Sequence, residues 1–152
     1  MKDKIFEMVG MVLSMGDDSA FNIQNHESID IEQLTIDDND PIFVNVEVIR
    51  NGQSGNNRIY DDNIVKTINS MIPGTMGYLG HPDPGKHGFE FREPHCVYVG
   101  SQLLDMGNGV LASIGKAYIF KSSPLREWIP KSMIAGNPMT VSINARGDVY
   151  ND

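Results

Sequence analysis

One serine stands inside an apolar, strand-like run near the end of the chain, in "MTVSINARG" at residues 139–147. A serine hydroxyl acts as a nucleophile when a base lies within about 3 Å and donors await the developing oxyanion. The alternation around Ser142 predicts that it projects to the polar side of a strand, where a serine is usually structural. The Arg146-Gly147 pair could turn backbone N–H groups toward such a site. Ser142 is therefore a candidate nucleophile that needs a base from elsewhere in the chain.

The natural candidate for that base is His81, in "GYLGHPDPG". Pro82 restricts the residue before it to extended conformations, so His81 is held at the boundary of a strand or loop. A histidine fixed there can present one ring nitrogen to a neighbouring hydroxyl. On spacing alone a histidine on a surface loop is the commoner interpretation, and the catalytic one needs further support.

The same stretch offers a second chemistry, because it concentrates nitrogen and oxygen donors that could bind zinc. The donors in "HPDPGKHGFEFREPH" are His81, Asp83, His87, Glu90, Glu93 and His95. Five and seven residues separate the successive histidines, and these spacings match none of the common metal signatures. A metal-dependent hydrolase is therefore an alternative without a recognisable motif. The adjacent Cys96 is interpreted as a small core residue.

Periodicity and turn residues indicate which elements must position these side chains. The predicted elements are strand 41–50, a helix capped by Asp61 or Asp62, strands 96–104 and 109–120 joined at "DMGNG", a helix from Ser123-Pro124 and strand 139–145. Residues 1–40 are predicted to form an acidic, partly irregular extension, loosely packed and with one edge strand. Because the connections are short, we expect an α+β fold whose curved, mostly antiparallel sheet or small barrel has flanking helices.

Composition limits the partners of the chain. Its 152 residues suit one domain with a sizeable core, and 20 acidic against 12 basic residues give a net charge of −8. Such a surface repels nucleic acid. The apolar run at 8–15 is too short to cross a bilayer and is followed by no cleavage site, which argues against a membrane or secretory route. The single cysteine, Cys96, suits a reducing, cytosolic compartment.

Four stretches, in register over residues 41–148, resemble the prohead (capsid maturation) proteases of tailed bacteriophages, relatives of the herpesvirus assemblins. They are "NNRIYDDNIVKTI", "GYLGHP", "PHCVYVGSQLLDMGNGVLASIGKAYI" and "SPLREWIPKSMIAGNPMTVSINARG". The second is similar to the family's G-E-L-x-H-P, with Tyr78 in place of the glutamate. The fourth is similar to a helix, a glycine and a strand that carries the family's nucleophile. The resemblance implies that residues 41–152 form a protease-like domain.

The resemblance also implies roles for individual residues. Ser142 would be the nucleophile and His81 the base, with the oxyanion bound by N–H groups near Arg146 and Gly147 and no metal or organic cofactor. The family usually takes its third catalytic residue from a strand twenty to thirty residues after the serine, whereas this sequence runs only ten residues beyond it. We therefore expect a domain without the C-terminal part of the family fold, in which Asp148 or His95 is the possible third member.

The function that this resemblance implies is serine endopeptidase. The enzyme would cleave scaffold, core and capsid-protein extensions, and itself, inside the assembling procapsid in the host cytoplasm. Its substrates would be extended peptides that add a strand beside the strand of Ser142. A homo-oligomer is possible, and neither nucleic acid nor membrane is expected as a partner. One alternative is an inactive scaffold or core protein with the protease fold, and the metal-dependent hydrolase is a second.

Overall fold

The computed structural model describes residues 3–15, 21–53, 59–80, 92–137 and 139–148. Its main feature is a six-stranded antiparallel sheet of order β5-β6-β7-β2-β1-β8. The strands of this sheet are β1 (Asp3–Met15), β2 (Ile42–Arg50), β5 (Met76–Tyr78), β6 (Pro94–Gly107), β7 (Val110–Ile119) and β8 (Thr140–Asp148). A separate ribbon pairs β3 (Gly52–Gln53) with β4 (Ile59–Tyr60), and the helices are α1 (Ile31–Leu34), α2 (Asp62–Met71) and α3 (Leu125–Ile134). The predicted α+β class and antiparallel sheet are confirmed.

The long hairpin of β6 and β7 forms as its turn sequence predicts. Gly107 pairs with Val110, which leaves Asn108-Gly109 as a two-residue connection. Both turn residues have positive φ, 54° at Asn108 and 76° at Gly109. This is the conformation that Asn-Gly adopts readily, and its twist matches that of the flanking strands. The local sequence of this turn therefore fixes where β6 and β7 begin to pair.

One face of the sheet is covered by α2 and α3. Asp61 caps α2 by accepting a hydrogen bond from the N–H of Ile64 at 2.8 Å. α3 begins after Ser123-Pro124 and runs to Ile134 with Pro130 inside it. The buried residues of this core are Val44, Val46, Val48, Ile49, Tyr60, Val65, Ile72, Cys96, Tyr98, Ala117, Ile119 and Ile129.

The other face of the sheet is buried as well. Alternate residues of the same strands, among them Phe43, Val97, Val99 and Tyr118, point away from the helices. The chain between β1 and β2 covers them, with Phe21, Ile23, Ile29, Ile31 and Leu34 packed against the sheet. Because β7 is buried on both faces, its sequence does not alternate but is a nearly continuous run of apolar and small residues.

The predicted N-terminal extension differs from the structure in two ways. β1 is an interior strand, because it pairs with β2 on one side and with β8 on the other. Residues 29–36, whose apolar residues partly alternate, do not form the predicted edge strand: Ile31–Leu34 is a short helix capped by the carboxylate of Asp30. Burial of Ile23 and Asp38 shows that the segment after β1 packs closely on the sheet. The alternation of apolar residues could not predict these neighbours, since it does not encode which strands or segments a strand contacts.

Among the described residues, no helix is long and apolar enough to cross a membrane.

Candidate functional site

The strand that carries Ser142, the candidate nucleophile, is β8, and it lies at one edge of the sheet. β8 pairs with β1 along its whole length, with Ser142 opposite Val9, and it is last in the strand order. Among the described strands, none pairs with its second side. An edge strand presents backbone N–H and C=O groups that can pair with another chain. The backbone around Ser142 is thus placed where an extended peptide could bind.

The other site residues predicted on β8 are not brought to Ser142. The strand stays extended through Arg146, Gly147 and Asp148. At about 3.3 Å per residue, their Cα atoms lie roughly 13, 17 and 20 Å along the strand from that of Ser142. A group that binds the oxyanion, or that orients the base, must lie within hydrogen-bond distance of the reacting atoms or of the histidine. The geometry therefore does not support the oxyanion role of Arg146-Gly147 or the third-member role of Asp148.

The candidate base, His81, lies outside the described residues, as does His87. The chain that leads to His81 is described: β5 ends at Tyr78, and Leu79 and Gly80 follow it. β5 is the first strand in the sheet order and β8 the last, and no ladder joins them among the described residues. A contact between His81 and Ser142 therefore stays a prediction.

His95 occupies an irregular position beside the end of β5. Gly77 pairs with Cys96 and Tyr78 pairs with Pro94, which leaves His95 as the extra residue of a β-bulge in β6. Its Nδ1 shares a hydrogen bond of 2.9 Å with Oγ of Ser123, and Ser123 Oγ also accepts from the N–H of Leu125. His95 thus links the sheet to the start of α3. Three strands, β7, β2 and β1, separate β6 from β8 in the sheet order.

Cys96 is confirmed as a core residue. It is buried, and burial raises the pKa of its thiol to about 11. A thiol that stays protonated at neutral pH is a poor nucleophile. Gly77 on β5 lies directly against its sulfur, where a Cβ would overlap Sγ. Cys96 therefore packs β5 closely onto β6.

Arg92, which sequence reasoning did not single out, contacts the two residues that precede the candidate base in the sequence. Nη2 of Arg92 donates hydrogen bonds to the carbonyl oxygens of Leu79 and Gly80, at 2.7 and 2.6 Å. Its guanidinium carbon lies 4.9 Å from the centre of the Tyr78 ring, in a cation–π arrangement. One sequence feature could have pointed to this contact: Tyr78 occupies the position that glutamate has in the family's G-E-L-x-H-P motif.

The structure gives no support to a metal site in its described part. No three of the histidine, cysteine, aspartate and glutamate side chains described there are grouped to hold a metal ion. Of the three histidines considered as ligands, only His95 is described, and its Nδ1 is engaged by Ser123. The metal-dependent hydrolase therefore has no observation in its favour.

Comparison with known proteins finds no relative: the chain matches no protein-family model, no curated protein and no solved structure. The function must accordingly be argued from the sequence motifs and from the geometry above.

Proposed function

We propose that the chain is a serine endopeptidase of the prohead-protease type, with an assemblin-like fold. Ser142 is the nucleophile and His81 the general base. The order of the four motifs motivates the assignment, and an α+β fold with an antiparallel sheet and packed helices is compatible with it.

The observation that carries the proposal is the edge position of β8. A protease must hold its substrate extended so that the scissile carbonyl lies beside the nucleophile. A peptide that pairs with the side of β8 on which no described strand lies would have its backbone fixed by main-chain hydrogen bonds, and its carbonyls would pass Ser142 in register. A serine on an interior strand of the sheet could not be reached in this way.

The reaction follows from these two groups. Oγ of Ser142 attacks the peptide carbonyl while the imidazole of His81 takes its proton, and His81 returns the proton to the leaving amine. Water then attacks the resulting ester, again with proton transfer through His81, and releases the acid product with Ser142 restored. No metal or organic cofactor enters these steps.

The proposed substrates are extended segments of scaffold, core and capsid proteins, and of the enzyme itself, inside an assembling procapsid in the host cytoplasm. Both the substrate class and the location come from the resemblance. The excess of acidic residues, with a net charge of −8, disfavours direct binding to packaged nucleic acid.

A serine-directed fluorophosphonate tests the proposal directly. We expect covalent labelling of the wild-type chain, and loss of labelling in Ser142→Ala and in His81→Gln, because the unassisted hydroxyl reacts slowly. Ser70→Ala is the matched control: Ser70 is an exposed serine on α2 whose hydroxyl donates to the Thr67 carbonyl, and its removal should leave labelling unchanged. Equal labelling of wild type and Ser142→Ala would refute the assignment.

A second candidate is a scaffold or core protein that keeps the protease fold without activity. The extended course of β8 favours it, because Asp148 lies roughly 20 Å along the strand from Ser142, too far to bond a base that is itself hydrogen-bonded to Ser142. This candidate predicts no labelling in any variant, together with stable binding of the chain to scaffold or capsid protein. Labelling that depends on Ser142 and His81 would exclude it.

A further inference from the structure

Exposed apolar side chains are concentrated at the end of α2 and along β5. Four of the nine large apolar side chains that are exposed in the described part of the chain lie between residues 71 and 79. They are Met71, Met76, Tyr78 and Leu79, with exposed fractions of 59%, 47%, 43% and 37%, and we call them the edge patch. A concentration of exposed apolar groups marks an interaction site, whereas single scattered ones do not.

The turn between α2 and β5 holds these side chains at one edge of the sheet. Oγ1 of Thr75 donates to the carbonyl oxygen of Met71 at 2.9 Å, so the last residue of α2 is fixed beside the start of β5. Met76 and Tyr78 are two residues apart on β5 and therefore project from the same face. Gly77, between them, faces the sulfur of Cys96 in the core under the helices. Met71 thus lies on the helix-covered side of the edge, and Met76 and Tyr78 lie on the other.

The backbone of β5 is also suited to pairing. β5 is first in the strand order, and none of the described strands pairs with its outer side. The N–H of Tyr98 donates to the carbonyl of Thr75 at 2.9 Å, so that carbonyl points toward β6. Backbone groups alternate in direction along a strand, and the N–H and C=O of the next residue, Met76, therefore point away from β6. Outward N–H and C=O groups on an edge strand can pair with another chain.

The distribution of charge points to a second copy of the chain as the partner. The net charge of −8 makes most pairs of surfaces repel each other when two copies meet. Residues 71–80, "MIPGTMGYLG", contain no acidic or basic residue. Arg92, which contacts this stretch, is positive and is already bonded to its Leu79 and Gly80 carbonyls and stacked on Tyr78. Two copies can therefore meet at this edge without bringing carboxylates together, whereas a strongly charged partner would gain nothing from an uncharged stretch.

We propose that the edge patch is a dimer interface, in which β5 pairs with β5 of a second copy about a two-fold axis. Antiparallel pairing of a strand with its own copy is the arrangement that such an axis produces. With Gly77 at the axis, Met76 of each copy lies opposite Tyr78 of the other, where a thioether packs well against an aromatic ring. The two six-stranded sheets are then joined at β5, and β8 stays at both outer edges. This inference goes beyond the proposed function and does not depend on it.

Sedimentation equilibrium of the full chain tests the interface. We expect a reversible dimer with a Kd of roughly 10–100 μM, because the contact is small, and tighter association at higher salt, which screens the repulsion between two acidic copies. Met76→Lys should raise the Kd roughly tenfold or more, since a lysine on an edge strand opposes pairing. Met106→Lys is the matched control: Met106 is 45% exposed near the turn of the β6–β7 hairpin, and the same change of charge there should leave the Kd unaltered.

A second measurement locates the contact. On dilution the backbone amide resonances of residues 71–80 should shift, whereas those of Asn108 and Gly109 at the hairpin turn should stay in place. If Met76→Lys does not fold, Met71→Lys carries the same test, because Met71 is the most exposed member of the edge patch. A chain that sediments as a monomer at about 1 mM would overturn the inference. A dimer that both lysine variants leave intact would overturn it as well, because the contact would then lie elsewhere, at β8 for example.

Discussion

At the scale of single residues, a buried polar contact joins the segment between β1 and β2 to α3. The carboxylate of Asp38 accepts hydrogen bonds from Arg126 and from the Tyr118 hydroxyl, and it is almost fully buried. The hydrogen bonds from Arg126 and then from Tyr118 lower the pKa of Asp38 to about 2, in spite of the opposing effect of burial. Burial first, and the carboxylate second, raise the pKa of Tyr118 to about 12, so the phenol stays a donor at neutral pH.

This contact predicts a defined loss of stability in acid. Because the folded-state pKa of Asp38 is below its usual value of 3.8, the contribution is complete above about pH 4 and is lost as the pH falls through about 2. It amounts to roughly 2 kcal/mol of the free energy of unfolding, at about 1.4 kcal/mol per tenfold change in affinity for the proton. Urea unfolding between pH 5 and pH 2 measures it.

Asp38→Asn tests the same contact by mutation. It should lower the free energy of unfolding at pH 7 by roughly 2–4 kcal/mol, since Arg126 is left without its buried counter-charge, and it should flatten the acid dependence. Asp37→Asn, at the exposed neighbouring position, is the control and should change little. An Asp38→Asn chain as stable as wild type at pH 7 would show that the ion pair contributes nothing.

At the scale of elements, the segment between β1 and β2 crosses β6 at a glycine. The N–H of His26 donates to the Val99 carbonyl at 2.7 Å, and the next residue of β6 is the buried Gly100. A Cβ on Gly100 would overlap the carbonyl oxygen of Gln24, so only glycine allows the two backbones to approach this closely. The position of one small residue thus decides where the segment lies on the sheet.

Gly100→Ala should therefore destabilise the fold, even though alanine suits a strand as well as glycine does. We expect a loss of roughly 1–3 kcal/mol in the free energy of unfolding, because backbone must move to admit the methyl group. Gln102→Ala, two residues along the same strand at an exposed position, provides the comparison. Thermal or urea unfolding measures both, and equal midpoints for Gly100→Ala and wild type would contradict the close crossing.

At the scale of the whole molecule, the sheet has two covered faces, and different parts of the chain cover them. α2 and α3 bury one face, and residues 21–38 bury the other. β1 completes the arrangement by lying between β2 and the strand of Ser142. The part of the sequence that looked like a loose extension therefore holds β8 in the sheet.

Deletion of residues 1–40 should consequently abolish the native fold, and not merely remove a peripheral part of it. The shortened chain would lose the strand that pairs with both β2 and β8, and would expose Val97, Val99 and Tyr118 to water. We expect loss of near-UV circular dichroism, binding of hydrophobic dyes and aggregation in size-exclusion chromatography. Cooperative unfolding of the shortened chain at the temperature of the full chain would contradict this prediction.

The sequence by itself determined the elements whose signals are local. Asn108-Gly109 specified a hairpin, the pair Asp61 and Asp62 a helix start, and the alternation of 42–48 a strand, because each depends on residues within one turn or one period. The position of Ser142 on a late strand was predicted for the same reason.

Only the tertiary structure decided which strands are neighbours and what covers them. The pairing of β1 with β8 joins residues more than a hundred positions apart, and the contact of Asp38 with Arg126 joins residues 88 positions apart. Alternation shows that a strand has a buried face but not which partner buries it, since many partners satisfy the same pattern. For that reason the strand of Ser142 could be predicted from the sequence, whereas its place at the edge of the sheet and the contacts of Arg92 with Leu79 and Gly80 could not.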